Sequence, residues 1–105
     1  MKSLKHLIED CRIDGSVIII TSQDWNDFSE QHLQSMKEHK RSDFFLSKYN
    51  SLNENQKIQS TSHALKHLCE AIHGKHATTT NRVLIENTHN DSCISFSICH
   101  TNPFL

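Results

Sequence analysis

The chain opens with hydrophobic residues at helical spacing. Four apolar positions follow the i, i+3, i+4, i+7 pattern of an amphipathic helix: Leu4, Leu7, Ile8 and Cys11. Ser3 stands directly before them, where a serine side chain caps the first backbone N–H groups of a helix. We therefore expect a short helix that begins after Ser3 and is stopped by the sequence Ile13-Asp14-Gly15.

A second helical pattern extends from Thr21 to about Lys40, with Thr21 and Ser22 as candidate caps. Its apolar stripe consists of Trp25, Phe28, Leu33 and Met36. At about 100° per residue, His32 falls in the middle of this stripe, which predicts that it is partly buried. Because burial disfavours the charged imidazole, His32 is a candidate pH sensor whose protonation opposes the packed state.

A third and longer helix is predicted after Leu52. Asn53 and Gln56 have the spacing of a capping box, and Gly74 suits the position that follows a helix C-terminus. Five apolar residues keep helical register between these ends: Ile58, Leu65, Leu68, Cys69 and Ile72. Before this helix, residues 42–49 favour a further short helix over a strand.

Three segments show strand patterns. Residues 16–21 form a β-branched run without alternation, which is typical of a central strand covered on both faces. Residues 82–88 and 93–100 flank the turn-forming residues 89–92 and predict a β-hairpin. Apolar and small residues alternate in the second arm. We expect one face to carry Ile94, Phe96 and Ile98, and the other to carry Cys93, Ser95, Ser97 and Cys99.

Together these elements predict one α+β domain over residues 1–105, in the order α-β-α-(α)-α-β-β. The expected sheet is small and three-stranded, made of one N-terminal strand and the C-terminal β-hairpin. We expect the N-terminal strand to pair with the hairpin and three to four helices to cover the sheet in one layer.

The opening of the chain resembles that of Phd/YefM-type antitoxins. In those antitoxins a helix with paired leucines is followed by a glycine and a strand ending in Ile-Thr, as Leu4, Leu7, Gly15 and the strand at 17–21 are here. Where such antitoxins carry a second strand, this chain has residues 25–40, and the similarity stops there.

Composition narrows the range of partners. The 11 basic and 12 acidic residues give a net charge of −1 with neutral histidines, so the chain lacks the basic field typical of nucleic-acid-binding proteins. Protonation of all nine histidines would raise the net charge to about +8. No apolar run is long enough to span a membrane, and Glu9, Asp10 and Arg12 interrupt any signal-peptide core. We therefore expect a cytoplasmic protein with reduced thiols.

The sharpest cluster of metal-ligating residues lies on the third predicted helix, where His63, His67 and Glu70 share one face. Two histidines at i and i+4 match the helix that holds zinc in metalloproteases, and Glu70 would be a third ligand. The glutamate that serves those enzymes as general base is missing, because residues 64–66 read Ala-Leu-Lys. The cluster is therefore either a solvated helix face or a zinc site.

We expect a non-enzymatic regulatory or inhibitory protein, similar in kind to immunity proteins and antitoxins, that binds a protein partner rather than nucleic acid or a membrane. The candidate binding residues lie on two helical surfaces: His63, His67 and Glu70 on the third helix, and Lys37, Lys40 and Arg41 at the end of the second. We predict no catalytic residue and no cofactor for such a protein, and the sequence leaves its oligomeric state open.

The alternative is a metal- or thiol-dependent hydrolase. It would use His63, His67 and Glu70 with zinc as cofactor, or Cys99 activated by a nearby histidine. Cys93, on the same predicted strand, is a second candidate thiol. The two glycines, Gly15 and Gly74, form no phosphate-binding glycine motif, and the four cysteines form no CxxC pair. Nucleotide hydrolysis and zinc-finger folds are therefore not expected.

Overall fold

A computed structural model describes residues 2–38, 47–74, 81–87 and 93–98 as an α+β fold with a mixed β-sheet. Its elements are α1 (Leu4–Asp10), β1 (Arg12–Asp14), β2 (Val17–Thr21), α2 (Ser22–Glu38), α3 (Glu54–His73), β3 (Arg82–Glu86) and β4 (Cys93–Ser97). Residues 47–50 are also helical, and residues 42–46 of that predicted helix lie outside the described ranges. Within those ranges no helix is both long and apolar enough to cross a membrane.

The sheet has the strand order β1-β2-β3-β4. β2 and β3 are parallel, whereas β1 and β4 run antiparallel to their neighbours. The structure confirms that the N-terminal strand β2 pairs with the C-terminal β-strands and is central. It also confirms antiparallel pairing of β3 and β4, while the predicted turn at 89–92 lies outside the described residues.

The prediction of a three-stranded sheet is wrong by one strand. Residues expected only to stop α1 form β1, in which Ile13 pairs with Ile18 of β2. Asp14 pairs with Val17, so the connection is a two-residue hairpin loop whose first residue, Gly15, has φ of 59°. A left-handed glycine at this point gives the loop the twist that joins adjacent antiparallel strands.

Side-chain caps fix the starts of the helices. Ser3 caps α1 by accepting a hydrogen bond from the His6 N–H at 3.2 Å. Thr21 accepts one from the Asp24 N–H in the first turn of α2. At α3 both bonds of the predicted capping box are present, between the Asn53 and Gln56 side chains and each other's backbone N–H at 2.8 and 3.0 Å. These caps confirm the predicted helix starts.

The hydrophobic core lies between one face of the sheet and the helices. Its buried members are Leu7, Ile8, Cys11, Ile18, Ile20, Phe28, Leu65, Cys69, Val83, Ile85 and Ile98. Burial alternates along β2, where Ile18 and Ile20 are buried and Ile19 is half-buried. β2 was expected to be covered on both faces, and it is buried on one face and only half-buried on the other, so the sheet has a core face and an outer face.

Three residues of the predicted apolar faces are exposed because they lie near the ends of their elements, and one of them is Leu4, the first residue of α1, at 38%. Ile72 follows the buried Leu65 by seven residues and so lies on the same side of α3, yet it is the next-to-last residue of this helix and is 42% exposed. Ile94 pairs with the buried Ile85, so both are on the core face, but Ile94 is 66% exposed near the start of the edge strand β4. On the opposite face of β4, Ser95 and Ser97 are exposed as expected.

Candidate functional site

The predicted cluster on α3 is only partly assembled. His67 Nδ1 lies 3.9 Å from a carboxylate oxygen of Glu70, and the His67 side chain is 76% exposed. His63 is half-buried and its Nε2 atom is buried. His67 is therefore exposed, as a solvated helix face requires. The Nε2 atom of His63, in contrast, is buried. Within the described residues, no group of three or more His, Cys, Asp or Glu side chains is placed to hold a metal ion.

The predicted basic cluster at the end of α2 is described only at its first member. Lys37 is exposed in the last turn of α2, where a cation interacts favourably with the negative end of the helix dipole. Lys40 and Arg41 lie outside the described residues. The structure therefore shows one exposed cation at this predicted binding surface.

His32 packs between α2 and α3, as its position in the apolar stripe predicts. Its ring stacks on Phe28 with centroids 6.3 Å apart and meets Tyr49 edge-on at 6.4 Å. Its Nε2 is 3.4 Å from the hydroxyl of Ser60 on α3. Burial lowers the pKa of His32, because the low-dielectric interior disfavours the imidazolium. His32 therefore contacts both helices, and its buried environment favours the neutral imidazole.

A buried carboxylate lies where α1, α2 and the N-terminal segment meet. Asp24, in the first turn of α2, is 5% exposed. The Lys2 ammonium lies 3.1 Å from its carboxylate and 2.9 Å from that of Asp10. The hydrogen bonds to Asp10 and Asp24 raise the pKa of Lys2. Lys2 therefore forms salt bridges with both the last residue of α1 and the first turn of α2.

The pairing of Cys99 or Cys93 with a histidine, which the sequence analysis considered for catalysis, lies outside what the structure describes. Cys99 lies outside the described residues, and Cys93 is described only as the first residue of β4. The structure instead brings together Cys11 and Cys69, which the sequence placed separately on the apolar sides of two helices. Both are buried members of the same hydrophobic core.

The outer face of the sheet is a surface that the sequence analysis did not propose as a binding site. Because directly paired residues share a face of a sheet, one row across the four strands consists of Arg12, Ile19, Leu84 and Ser95. A parallel row consists of Asp14, Val17, Arg82 and Ser97. The three aliphatic residues of these rows are half-buried, and none is a member of the core.

Charged side chains frame this aliphatic strip. The Arg12 guanidinium donates to a carboxylate oxygen of Glu86 at 2.6 Å, so the pair bridges β1 and β3 across β2. Arg82 donates to the hydroxyl of Ser95 at 2.6 Å between β3 and β4. With Asp14, the described residues of this face include two positive and two negative side chains. It is therefore electrically balanced, with apolar area at its centre and polar groups around it.

Two sequence signals could have revealed this face. Asp14-Gly15 between apolar residues is a hairpin signal, and it predicts that residues before Gly15 form a strand. The β3 sequence places charged Arg82 and Glu86 on the same face as Leu84, whereas Val83 and Ile85 alternate with them. This alternation is typical of a sheet with one face away from the core.

Comparison of the chain with protein-family models, with curated proteins and with solved structures finds no match.

Proposed function

We propose that this chain is a small non-enzymatic protein of a regulatory or inhibitory kind, which presents the outer face of its sheet to a protein partner. The observation that supports this most is the half-buried strip of Val17, Ile19 and Leu84, which lies outside the core. Protein interfaces combine an apolar centre with a polar rim, and this face has both, the rim including the Arg12–Glu86 pair.

The charges of the face indicate the kind of partner. Two arginines and two acidic residues leave it without net charge, so it lacks the electrostatic attraction that a phosphate backbone needs. A protein surface with mixed charges and its own apolar centre complements it better. Arginine at the edge of such a strip is favourable, because arginine is enriched among residues that dominate binding energy.

Site-specific photo-crosslinking in the source cells tests this function. A photoreactive phenylalanine analogue is placed at Ser95, which is exposed on the outer face, and in a matched variant at Asn26, which is exposed on α2. We expect Ser95 to give an adduct with a different protein and Asn26 to give none. In the Ser95 variant, the further change Leu84→Asp should reduce the adduct at least about tenfold, by loss of a central apolar contact.

Three outcomes would overturn the proposed surface. The first is that Ser95 gives no adduct, or the same adducts as Asn26. The second is an adduct of twice the chain's mass, which would identify a second copy of the chain as the occupant. The third is an adduct from a probe at His67 or Lys37 but not at Ser95, which would place binding on the helical surfaces that the sequence nominated.

A further inference from the structure

The two edge strands of the sheet differ in how well they are protected from further pairing. β1 ends the sheet on one side with three residues, of which Arg12 and Asp14 are charged. β4 ends it on the other side with the five residues Cys93–Ser97, which include no charged residue and no proline. Its pairing with β3 runs through five successive residue pairs without a bulge. Because charges, proline and bulges are the usual protection of edge strands, β4 is the open edge among the described strands.

Alternate backbone groups of β4 point away from β3. The Ile98 N–H donates to the Asn81 carbonyl at 2.7 Å, so Ile98 and every second residue before it bond toward β3. The residues between them, including Ser95 and Ser97, therefore direct their N–H and C=O groups to the outside of the sheet. The Gln59 side chain agrees with this direction, because it donates to the Ser97 carbonyl at 2.8 Å. The outward N–H and C=O of Ser95 are thus placed to pair with a further strand.

The side chains along β4 indicate what such a strand would carry. On the core face, Ile94 is 66% exposed, so an apolar side chain beside it would cover it. On the outer face, the exposed Arg82 side chain extends across β4 and donates to the Ser95 hydroxyl at 2.6 Å. The carboxylate at the other end of β3, that of Glu86, is paired with Arg12 across β2. A carboxylate on the added strand beside Ser95 would lie within reach of the Arg82 guanidinium.

We propose that β4 binds an extended segment of the partner protein as a further strand of the sheet, and that acidic and apolar side chains alternate in this segment. The acidic side chains lie on the outer face toward Arg82, and the apolar ones lie on the core face toward Ile94. This mode of binding rests on the proposed function, because the added strand continues the outer face beyond Ser95. Backbone hydrogen bonds supply affinity, and the two rows of side chains supply selectivity.

Photo-crosslinking in the source cells tests strand addition with the natural partner. The photoreactive phenylalanine analogue is placed at Ser97, which is exposed on the outer face of the full chain. Ser95→Pro removes the outward N–H, and proline is tolerated in an edge strand at such a position. We expect at least about tenfold less adduct, because the added strand loses a hydrogen bond and meets the proline ring. Ser95→Ala keeps the N–H and should keep the adduct.

A second pair of variants controls for loss of folding. Ile94→Lys places a charge where the apolar side chains of the added strand pack, and inward charges prevent pairing at natural edge strands. The matched control is Ile72→Lys, because Ile72 is also an exposed isoleucine. It lies about 20 Å along α3 from Gln59, the residue that contacts β4. Ile94→Lys should decrease the adduct at least about tenfold, and Ile72→Lys should not, while both variants unfold cooperatively on heating.

A synthetic strand tests the chemistry of the segment. The probe is an acetylated and amidated peptide of about eight residues in which valine and glutamate alternate. At saturation it should slow hydrogen exchange of the Ser95 N–H in the full chain at least about tenfold, as measured by NMR. A strand pairs through the N–H groups of alternate residues, so N-methylation of one residue type should abolish this protection and N-methylation of the other should not. Lysine in place of glutamate should weaken binding at least about threefold.

Failure of strand addition and failure of the proposed function give different results. The absence of any adduct from Ser97 overturns both. An adduct that either Ser95→Pro or Ile94→Lys leaves unchanged overturns strand addition and retains the outer face as the binding surface. An adduct of twice the chain's mass identifies a second copy of the chain as the occupant and overturns the proposal. So does a Ser95 N–H that the peptide does not protect, or that both N-methylated peptides protect equally.

Discussion

The half-buried imidazole of His32 couples the packing of α2 on α3 to pH. Burial lowers its pKa in the folded protein, so the unfolded chain binds this proton more readily. The stability that depends on neutral His32 is complete above the unfolded-state pKa of about 6.5 and decreases as pH falls from there toward the lowered folded-state pKa. We predict that His32→Gln removes this part of the pH dependence. Urea unfolding at about pH 7 and about pH 5 should show a smaller loss of stability for the variant than for the wild type.

A variant of His67, an exposed histidine on α3, serves as the control for the other titrating groups. His67→Gln changes an exposed imidazole beside Glu70, and we expect it to retain the wild-type loss of stability on acidification. The groups around His32 are Phe28, Tyr49 and the Ser60 hydroxyl, with the Lys57 ammonium 5.5 Å from the centre of the Tyr49 ring. Equal pH dependence in the two variants would show that His32 does not set the acid response.

The burial of a side chain was predictable where the helix that carries it determines what surrounds it. His32 lies at the centre of an apolar stripe, so the spacing within α2 was enough to predict its partial burial. His63 was expected to face water because it lies opposite Leu65 on α3, but its Nε2 is buried. The direction of a side chain on a helix follows from the sequence. What packs against that side depends on tertiary structure.

At the scale of whole elements, the capping box of α3 gives a quantitative test. Asn53→Ala removes the acceptor of the Gln56 N–H, so we predict a decrease of about 1 kcal/mol in the free energy of unfolding. The matched control is Asn55→Ala, an exposed position inside the same helix that does not cap it. Alanine has the higher helix propensity, so the control should be neutral or slightly stabilising in urea titrations. Similar losses in both variants would contradict a specific role for the cap.

The element that was not predicted is β1, for which Asp14-Gly15 is the single signal in the sequence. Three residues are too few to show a period of two, and Arg12 and Asp14 resemble the polar end of a helix. Its strand conformation depends on pairing with β2 and on the left-handed Gly15, both of which join it to its neighbour. The longer elements carried their own signals, which are caps and apolar stripes for the helices and alternation for the C-terminal strands.

At the scale of the whole molecule, the fold class and the pairing of the N-terminal strand with the C-terminal strands were predictable. The elements allow few arrangements in which one layer of helices covers one face of a sheet. The candidate binding face was not predictable in the same way. It combines residues of four strands from both ends of the chain, and only the register places Arg12, Ile19, Leu84 and Ser95 in one row. The burial of Cys11 and Cys69 in one core likewise depends on how α1 packs against α3.

An alanine series along β2 tests whether the molecule has one core face and one outer face. Ile18 and Ile20 are 0% and 2% exposed and belong to the core, whereas Ile19 lies between them on the outer face. Ile18→Ala and Ile20→Ala should each cost about 2–5 kcal/mol in the free energy of unfolding, because each leaves a cavity in a packed core. Ile19→Ala should cost less than about half as much, because its side chain is half-buried outside the core cluster. The three changes are chemically identical on one strand, so equal losses would mean that the outer face is covered as completely as the core face and is not available to a partner.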